Sequence, residues 1–296
     1  MAGHVNEGKE KAPSKIAMMW ILVLLAASVA SGFHVQRHHA APRRLRMSWG
    51  GDVTWQDVSV LSNDEAAKGM RSITLEVGAE TAAGFTVPGQ FVQLKLDADA
   101  KPGFFAIASP PSNASVFEFL IKETESNEWL TASTPGQALT MSGVAGKGFD
   151  VASHFEGDAS QVNREYDGFQ CMNVMFFATG SGISPIRSTI EAGVAVGLPK
   201  PATLYFGVKD ADHRPYADKF DTWRTEYNVN VFEVHSQPLD GWDGATGYVQ
   251  DALKINGVPV PRNTGACICG QKDMFLAVKD ILLDAGVFEG RILTNF

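Results

Sequence analysis

The sequence predicts an antiparallel β-barrel domain followed by an α/β domain built on a parallel sheet. Residues 53–149 consist of short alternating or β-branched runs separated by Gly and Pro, a pattern typical of antiparallel strands. From residue 171 onwards, apolar runs alternate with helical segments, which predicts a parallel sheet covered on both faces. Residues 150–170 are polar and aperiodic, so the domain boundary is expected there.

The first domain is predicted to contain six short strands, a number and spacing typical of a barrel. Their expected positions are 53–61, 71–77, 91–96, 104–108, 116–121 and 138–141. One or two helical turns within residues 127–133, ended by Pro135 and Gly136, are expected to cover the barrel without joining its core.

The second domain is predicted to be Rossmann-like. Its strands are expected at 171–178, 202–206, 230–235, 266–269 and 291–294. Its helices are expected at 184–196, 216–226 and 273–285. Sheets of this kind place ligands at the carboxyl ends of their strands.

Residues 1–47 are predicted to be a removable targeting segment. The remaining chain then divides into a barrel (48–152), a linker (153–170) and an α/β domain (171–296). Lysines precede an apolar run over 16–30, the layout of a secretory signal peptide. The run is 15 residues long, short of the ~20 that cross a bilayer, so a permanent membrane anchor is the weaker alternative.

An Arg-rich stretch without acidic residues follows at Phe33 and continues to Arg46, which is typical of an organelle transit peptide. The order of signal, Phe and transit segment resembles the bipartite presequence of algae whose plastids came from a eukaryotic endosymbiont. The resemblance implies a plastid (chloroplast) protein whose mature chain is not stably inserted in a membrane. A secreted protein with a basic linker is the alternative.

Charge and cysteine content argue against several classes of function. Removal of residues 1–47 takes away seven Lys or Arg and two Asp or Glu, which lowers the net charge from −8 to −13. Such a surface repels polyanions, so nucleic acid is not an expected partner. Cys171, Cys267 and Cys269 form no visible disulfide framework, which favours a reducing compartment. No second ligand pair lies near the Cys-x-Cys pair, so no metal site is expected.

A Gly-containing turn after the strand at 171–178 is the strongest candidate site. N–H groups at the N-terminus of the helix that follows would attract a pyrophosphate. The candidate residues of this turn are Thr179, Gly180, Ser181, Gly182, Ile183 and Pro185. An ordinary turn is the alternative, because every parallel sheet needs such connections.

A glycine-rich loop after the last barrel strand is a second candidate. Gly143, Val144, Gly146 and Lys147 would offer N–H groups and one cation to a diphosphate. A plain turn between barrel and linker is the alternative.

A third candidate is the end of the strand at 266–269. Cys269, followed by Gly270 and Met274, stands where an open α/β sheet places its ligands. The alternative for this cysteine is a small buried hydrophobe.

Taken in chain order, these segments resemble the ferredoxin-NADP reductase superfamily over residues 53–296. The resemblance lies in the turn at 179–185, the Cys-Gly-x-x-x-Met segment at 269–274, a Phe-Ala-Ile-Ala-Ser strand at 105–109 and the loop at 143–149. It implies FAD on the barrel and NAD(P)H on the α/β domain. The strand residues that would contact the flavin are Phe105, Ala106, Ile107, Ala108 and Ser109.

The resemblance also assigns catalytic positions to two residues. Cys269 would pack on the nicotinamide and help to set the geometry of hydride transfer, without a covalent intermediate. Phe296 would lie against the flavin ring where the nicotinamide must enter. A frayed terminus is the alternative for Phe296.

The flavin strand departs from the superfamily's Arg-x-Tyr-Ser/Thr motif. Gly103, Phe105 and Ala106 stand at the matching positions, so the charge and both hydroxyls are missing. The ring of Phe105 can still stack on a flavin. Lys101 would approach the diphosphate from further along the strand, without a bidentate contact.

The sequence leaves the choice between NADH and NADPH open. Ser236 is present, but Gln237 stands where NADP-specific relatives carry an arginine for the 2′-phosphate. Residues that would compensate for the missing arginine are Gly207, Lys209, Tyr248 and Gln250. Each of them also has an ordinary surface explanation.

The leading hypothesis is therefore a flavin-dependent oxidoreductase that passes hydride or electrons between NAD(P)H and an unidentified acceptor through FAD. No iron-sulfur cysteine set is visible, so the acceptor is expected to be a separate protein or a small molecule. The alternative is a non-catalytic binding or assembly module of a plastid complex, on the same fold with weakened flavin binding.

Import is expected to remove residues up to about Met47 and to leave a protein that is recovered without detergent. N-terminal sequencing of the native protein checks this expectation. A native N-terminus before Phe33, or recovery only in detergent, would overturn it.

Overall fold

The computed structural model describes residues 53–112, 115–156 and 166–295. They form two six-stranded sheets in the predicted order along the chain. None of the helices in these ranges combines the length and the apolar character needed to span a bilayer. The presequence at 1–47, part of the predicted linker (157–165) and Phe296 lie outside the described residues.

The first sheet is an antiparallel barrel, as predicted. Its strands are β1 (Trp55–Ala67), β2 (Met70–Glu76), β3 (Phe91–Lys95), β4 (Gly103–Ala106), β5 (Val116–Lys122) and β6 (Ala138–Ser142). Their order is β4-β3-β6-β1-β2-β5. Beyond β4, the N–H of Ala108 donates to the carbonyl of Glu118 on β5 at 2.7 Å, which joins the two edges of the sheet.

Two short helices accompany the barrel: α1 (Ala79–Gly84) and α2 (Glu128–Thr131). Helix α1 was not predicted. The segment at 127–133 forms a short helix that covers the barrel, and Leu130 is the residue of α2 that is fully buried against the barrel core. Strand β1 runs six residues beyond its predicted end at 61. Its polar continuation pairs with β2 through irregular register, which the alternation pattern does not reveal.

The second sheet is parallel throughout. Its strands are β7 (Asn173–Thr179), β8 (Ala202–Val208), β9 (Val229–His235), β10 (Ala245–Thr246), β11 (Thr264–Cys269) and β12 (Ile292–Thr294). Its helices are α3 (Ile183–Glu191), α4 (Phe220–Glu226), α5 (Val249–Asn256) and α6 (Lys272–Ala285). The strand order is β10-β9-β8-β7-β11-β12. Strands β8 to β10 follow one another on one side of β7, and β11 and β12 lie on its other side, so β7 and β11 flank the topological switch point, where such sheets open a crevice for ligands.

Several boundaries in this domain differ from expectation. Helix α3 ends at Glu191, five residues before its predicted end, because Gly193 turns the chain with φ +84. Helix α4 begins at Phe220, because Tyr216 has a left-handed backbone and a 3₁₀ turn follows it. Strand β10 and helix α5 were not predicted.

Helix α3 connects the two domains through two hydroxyl groups. The Oγ of Ser184 donates to the carbonyl of Ala106 at 3.1 Å, and the Oγ of Ser188 donates to the carbonyl of Ser109 at 2.8 Å. Every residue from 183 to 190 is buried. The start of α3 is therefore fixed against the end of the barrel strand β4.

Arg187 adds an ion pair to the same connection. Its Nη1 lies 2.7 Å from Glu118 of β5, and its Nε donates to Glu191 of its own helix at 3.1 Å. Burial opposes the charge of Arg187, but its hydrogen bonds to Glu118 and Glu191 favour the charged form, and the pKa of the guanidinium is raised. Burial also raises the pKa of Tyr216 to about 12, so its phenol stays neutral. The guanidinium of Arg187 therefore stays positively charged opposite Glu118.

Candidate active site

The predicted turn after β7 and the predicted cysteine segment after β11 meet beside the topological switch point between these two strands. Strand β7 ends at Thr179, a 3₁₀ turn covers Gly180–Gly182, and helix α3 follows. Cys269 at the end of β11 pairs with Ala178 of β7. The positive end of α3 and both predicted segments thus lie at the mouth of the crevice, a suitable place for a pyrophosphate.

Gly182 is required by contact between these two segments. A Cβ added at Gly182 would lie 2.5 Å from the carbonyl oxygen of Cys269 and 2.7 Å from the Cα of Gly270. Real Cβ atoms do not approach so closely, so any side chain here would force the segments apart. The contact with β11 therefore requires a glycine at this position even without a bound ligand.

Thr179 links the same two segments. Its Oγ1 accepts a hydrogen bond from the N–H of Gln271 at 2.9 Å. Gly270, with φ +149, lies so close that a Cβ there would collide with Thr179 Oγ1 and with Met274. The two motifs are therefore parts of one rigid structure, a relation that their separate positions in the sequence do not reveal.

The thiol of Cys269 is neutral. Burial raises its pKa to about 12, although part of the residue reaches the surface. Cys267 is fully buried, and burial raises its pKa as well. A neutral thiol is a weak nucleophile, so covalent chemistry is not expected at Cys269, and its packing on the nicotinamide stays a prediction.

The predicted adenosine-side residues also come together. The N–H of Gln237 donates to the carbonyl of Lys209 at 2.8 Å, which places the two exposed residues side by side, with exposed Ser236 beside them. A Cβ at Gly207 would lie 2.8 Å from Val249, so the start of α5 adjoins this edge. Tyr248, 60% exposed, precedes that helix.

Gln250 lies in the first turn of the same helix. Its Oε1 is buried and has no hydrogen-bond partner within the described part of the chain. A buried carbonyl oxygen without a donor is costly, which fits a site that a ligand completes.

A polar cluster around the buried His235 of β9 was not predicted from the sequence. His235 is fully buried and stacks on Trp242 with ring centroids 3.6 Å apart. Its Nε2 lies 3.3 Å from Glu233, which also pairs with Arg214. The sequence does not predict that Arg214 and Trp242 contact this strand, because both residues lie in loops.

The glycine-rich loop after β6 packs against strand β3. Ala145 pairs with Phe91, and the ring of Phe91 lies where a side chain at Gly146 would be. Val144 packs against the barrel core. Lys147 is exposed, and no protein acceptor faces its N–H or that of Gly146 among the described residues. These groups fit the diphosphate of FAD.

The flavin strand leads from an exposed start into the domain junction. Lys101 is exposed and precedes β4. Ile107 and Ala108 are fully buried, and Ser109 accepts a hydrogen bond from the N–H of Glu118. The contacts of these residues are thus largely made within the protein, and Phe105 is the candidate that keeps a partly exposed ring.

Phe296 lies outside the described residues. Its neighbour Asn295 is 6% exposed, and its amide donates to the carbonyl of Gly89 in the barrel at 3.4 Å. The last described residue therefore contacts the barrel, and the gating role of Phe296 stays a prediction. Over the described ranges, no group of three or more His, Cys, Asp or Glu is placed to hold a metal ion.

Comparison with known proteins matches both domains. The family model "Oxidoreductase NAD-binding domain" matches residues 176–280. Fruit protein pKIWI502 of Actinidia deliciosa is 31% identical over 234 residues, which cover 75% of this chain and 70% of the fruit protein. One component of the Na(+)-translocating NADH-quinone reductase of Pseudoalteromonas atlantica is 24% identical over 274 residues, covering 81% of this chain and 66% of that component. The chain thus spans just under two thirds of the reductase component.

A solved structure shows the same fold. The ferredoxin NADP+ reductase from Neisseria gonorrhoeae with bound FAD and NADP superposes with a TM-score of 0.64 and 16% identity. The match covers 81% of this chain and 97% of that one. Barrel and α/β domain are therefore arranged along the chain as in that reductase.

Gly182→Ala is expected to weaken NAD(P)H binding by about tenfold or more, because the new methyl group would force the turn away from Cys269. Flavin content is expected to stay unchanged, since the barrel is untouched. Isothermal titration calorimetry and flavin absorption measure the two effects. The control is Gly84→Ala, where a Cβ meets no atom within 4 Å.

Unchanged nucleotide affinity in Gly182→Ala would remove this turn from the site. Equal loss of flavin and nucleotide would show general misfolding instead.

Proposed function

Because the chain belongs to the ferredoxin-NADP reductase-like superfamily and carries its oxidoreductase NAD-binding domain, we propose that it transfers reducing equivalents from NAD(P)H to an acceptor through FAD. The observation that carries the proposal is the junction of the two predicted sites. Ser184, in the first turn of α3, is hydrogen-bonded to Ala106 at the end of the flavin strand. The nucleotide turn and the strand expected to hold the flavin are thus one hydrogen bond apart.

In the proposed reaction, the role of this chain is to position the nicotinamide and flavin rings against each other. Bound FAD would supply the redox chemistry by accepting hydride from the nicotinamide. The backbone contact between Gly182 and Cys269 would form part of the surface under the nicotinamide, and the family resemblance would place the Cys269 thiol, whose pKa burial raises to about 12, against the nicotinamide ring without a covalent bond. Orienting two rings at contact distance accounts for a large share of the rate in such reactions.

The comparisons support a reductase. The names of the matched proteins describe a component of an NADH-quinone reductase and a ferredoxin NADP+ reductase that binds FAD and NADP. These acceptors differ from each other, so the acceptor of this chain is left unassigned. The pattern of residues 1–47 supports a plastid location as part of the proposal.

A second candidate function is a non-catalytic module. It is favoured by one observation, the uncharged strand β4, in which Gly103 and Ala106 lack the arginine and hydroxyl of the superfamily motif. Such a protein would keep the fold and bind flavin poorly or not at all.

Anaerobic absorption spectroscopy of the purified chain tests the proposal. We expect flavin bands that bleach on addition of NADH or NADPH, since the turn and the flavin strand are held together. Parallel titrations with the two nucleotides also reveal which one is preferred. A colourless protein that does not bind added FAD would contradict the oxidoreductase and support the module.

A further inference from the structure

Strand β1 continues past its pairing with β6 as an arm, which we define as residues 62–74. In the arm, β1 pairs with β2 as far as Ala67 opposite Met70, and Lys68 and Gly69 form the tip. This tip extends from the barrel to the α/β domain, where its contacts lie beside the candidate nucleotide site.

Side-chain hydrogen bonds hold the base of the arm to the barrel. The Nε of Arg71 on β2 donates to the Oδ1 of Asn63 on β1 at 2.8 Å, which links the two strands. The Nδ2 of Asn63 donates in turn to the carbonyl oxygens of Thr131 and Ser133, at 3.0 and 2.7 Å. The arm is therefore anchored at its base by more than strand pairing.

Two backbone hydrogen bonds fix the tip. The N–H of Glu123, just after β5, donates to the carbonyl of Gly69 at 2.9 Å. The N–H of Lys68 donates to the carbonyl of Asp212, in the loop after β8, also at 2.9 Å. This loop begins at Lys209, a candidate residue for the adenosine end of the nucleotide. The arm therefore links the barrel to one of the loops that carry the candidate nucleotide site.

Met70 brings the arm to the nucleotide turn at 179–185. Its side chain is 6% exposed and lies in the same hydrophobic cluster as Ala178 and Ile183, which flank the glycines of the turn. A Cβ added at Gly180 would lie 4.0 Å from the terminal methyl carbon of Met70. A thioether from the barrel therefore packs beside the backbone of the turn.

This contact limits a backbone that is otherwise free to move. Gly180 has a left-handed φ of +53 and no side chain, so its conformation is weakly restricted by its own chemistry. A site that is ordered before its ligand arrives loses less conformational entropy on binding. Packing of Met70 against the turn therefore favours binding of a pyrophosphate by the N–H groups of the turn.

We propose that the arm positions the nucleotide turn for NAD(P)H, with Met70 as the positioning residue and the bond from Lys68 to Asp212 holding the tip in place. The proposal rests on the proposed function, because it presupposes that the nucleotide binds this turn. Loss of the arm's support lowers nucleotide affinity. The rate of flavin reduction at saturating nucleotide is retained, because the hydrogen bonds from α3 to the barrel are unchanged.

Lys68→Pro tests the bond at the tip, with Lys68→Ala as its matched control. Proline removes the N–H that donates to Asp212, and it suits the first position of a turn whose second residue, Gly69, has φ +70. Alanine removes the charged side chain and keeps the N–H. We expect nucleotide affinity to fall about fivefold in the proline variant, the effect of about one hydrogen bond, and to stay parent-like in the alanine variant.

Met70→Ala tests the contact with the turn, and Met70→Leu restores most of the apolar volume. Met175→Ala is the control for loss of a buried methionine, because Met175 is 2% exposed on β7 but packs in the cluster on the opposite face of the sheet. We expect affinity to fall about fivefold in Met70→Ala and to stay parent-like in the other two variants.

Isothermal titration calorimetry with NADP⁺ and NAD⁺ on the full chain supplied with FAD measures affinity, and rapid mixing with NADPH or NADH measures flavin reduction. Parent-like affinity in Lys68→Pro or in Met70→Ala overturns the inference. An equal loss in Lys68→Ala or in Met175→Ala also overturns it, since the ammonium group or general loosening would then be the cause. So does a slower rate at saturation with unchanged affinity. A parent chain that binds neither nucleotide refutes the proposed function together with the inference.

Discussion

The hydrogen bonds that helix α3 makes to the barrel are the constraint on which the rest of the site depends. Ser184 donates to the carbonyl of Ala106 at the end of β4, and Ser188 donates to that of Ser109 just beyond it. Arg187 pairs with Glu118 on the next barrel strand. All three donor side chains are buried, so their partners cannot be exchanged cheaply for water. The helix that opens at the nucleotide turn is thereby held at a fixed distance from the flavin strand, and neither domain can move alone without breaking these contacts.

The candidate site that α3 and the barrel hold in place depends on packing contacts and hydrogen bonds, not on acidic or basic side chains. Gly182 contacts the backbone of Cys269, Thr179 accepts a hydrogen bond from Gln271, and the Cys269 thiol is neutral. On the barrel side, the ring of Phe105 fills the space beside Gly103 and contacts the ring of Trp129. An enzyme that only brings two rings together needs this kind of stiffness, and hydride transfer does not require a titrating side chain nearby.

Much of the fold was predictable because its signals are local. The alternation in 53–149 predicts the barrel strands, and the Gly-containing turn after β7 predicts the crevice. Relations between distant segments could not be predicted. Trp129 and Arg187 carry no motif, and nothing in their local sequence shows that they meet Phe105 and Glu118. Tyr216, whose left-handed backbone delays α4, lies in a segment whose pattern is that of a helix. A serine at 184 and another at 188, four residues apart in a buried helix, were the one available sign of the domain junction.

The rate of flavin reduction in a Ser184→Ala/Ser188→Ala variant, measured by rapid mixing at saturating NAD(P)H, tests this account most directly. Thr189→Val is the matched control, because the Thr189 hydroxyl is equally buried but bonds to Pro185 within the same helix. The account predicts a rate about tenfold or more below the parent in the double serine variant, with flavin and nucleotide affinities unchanged, and a parent-like rate in the control. Parent-like reduction in the serine variant, or an equal loss in the control, would contradict it.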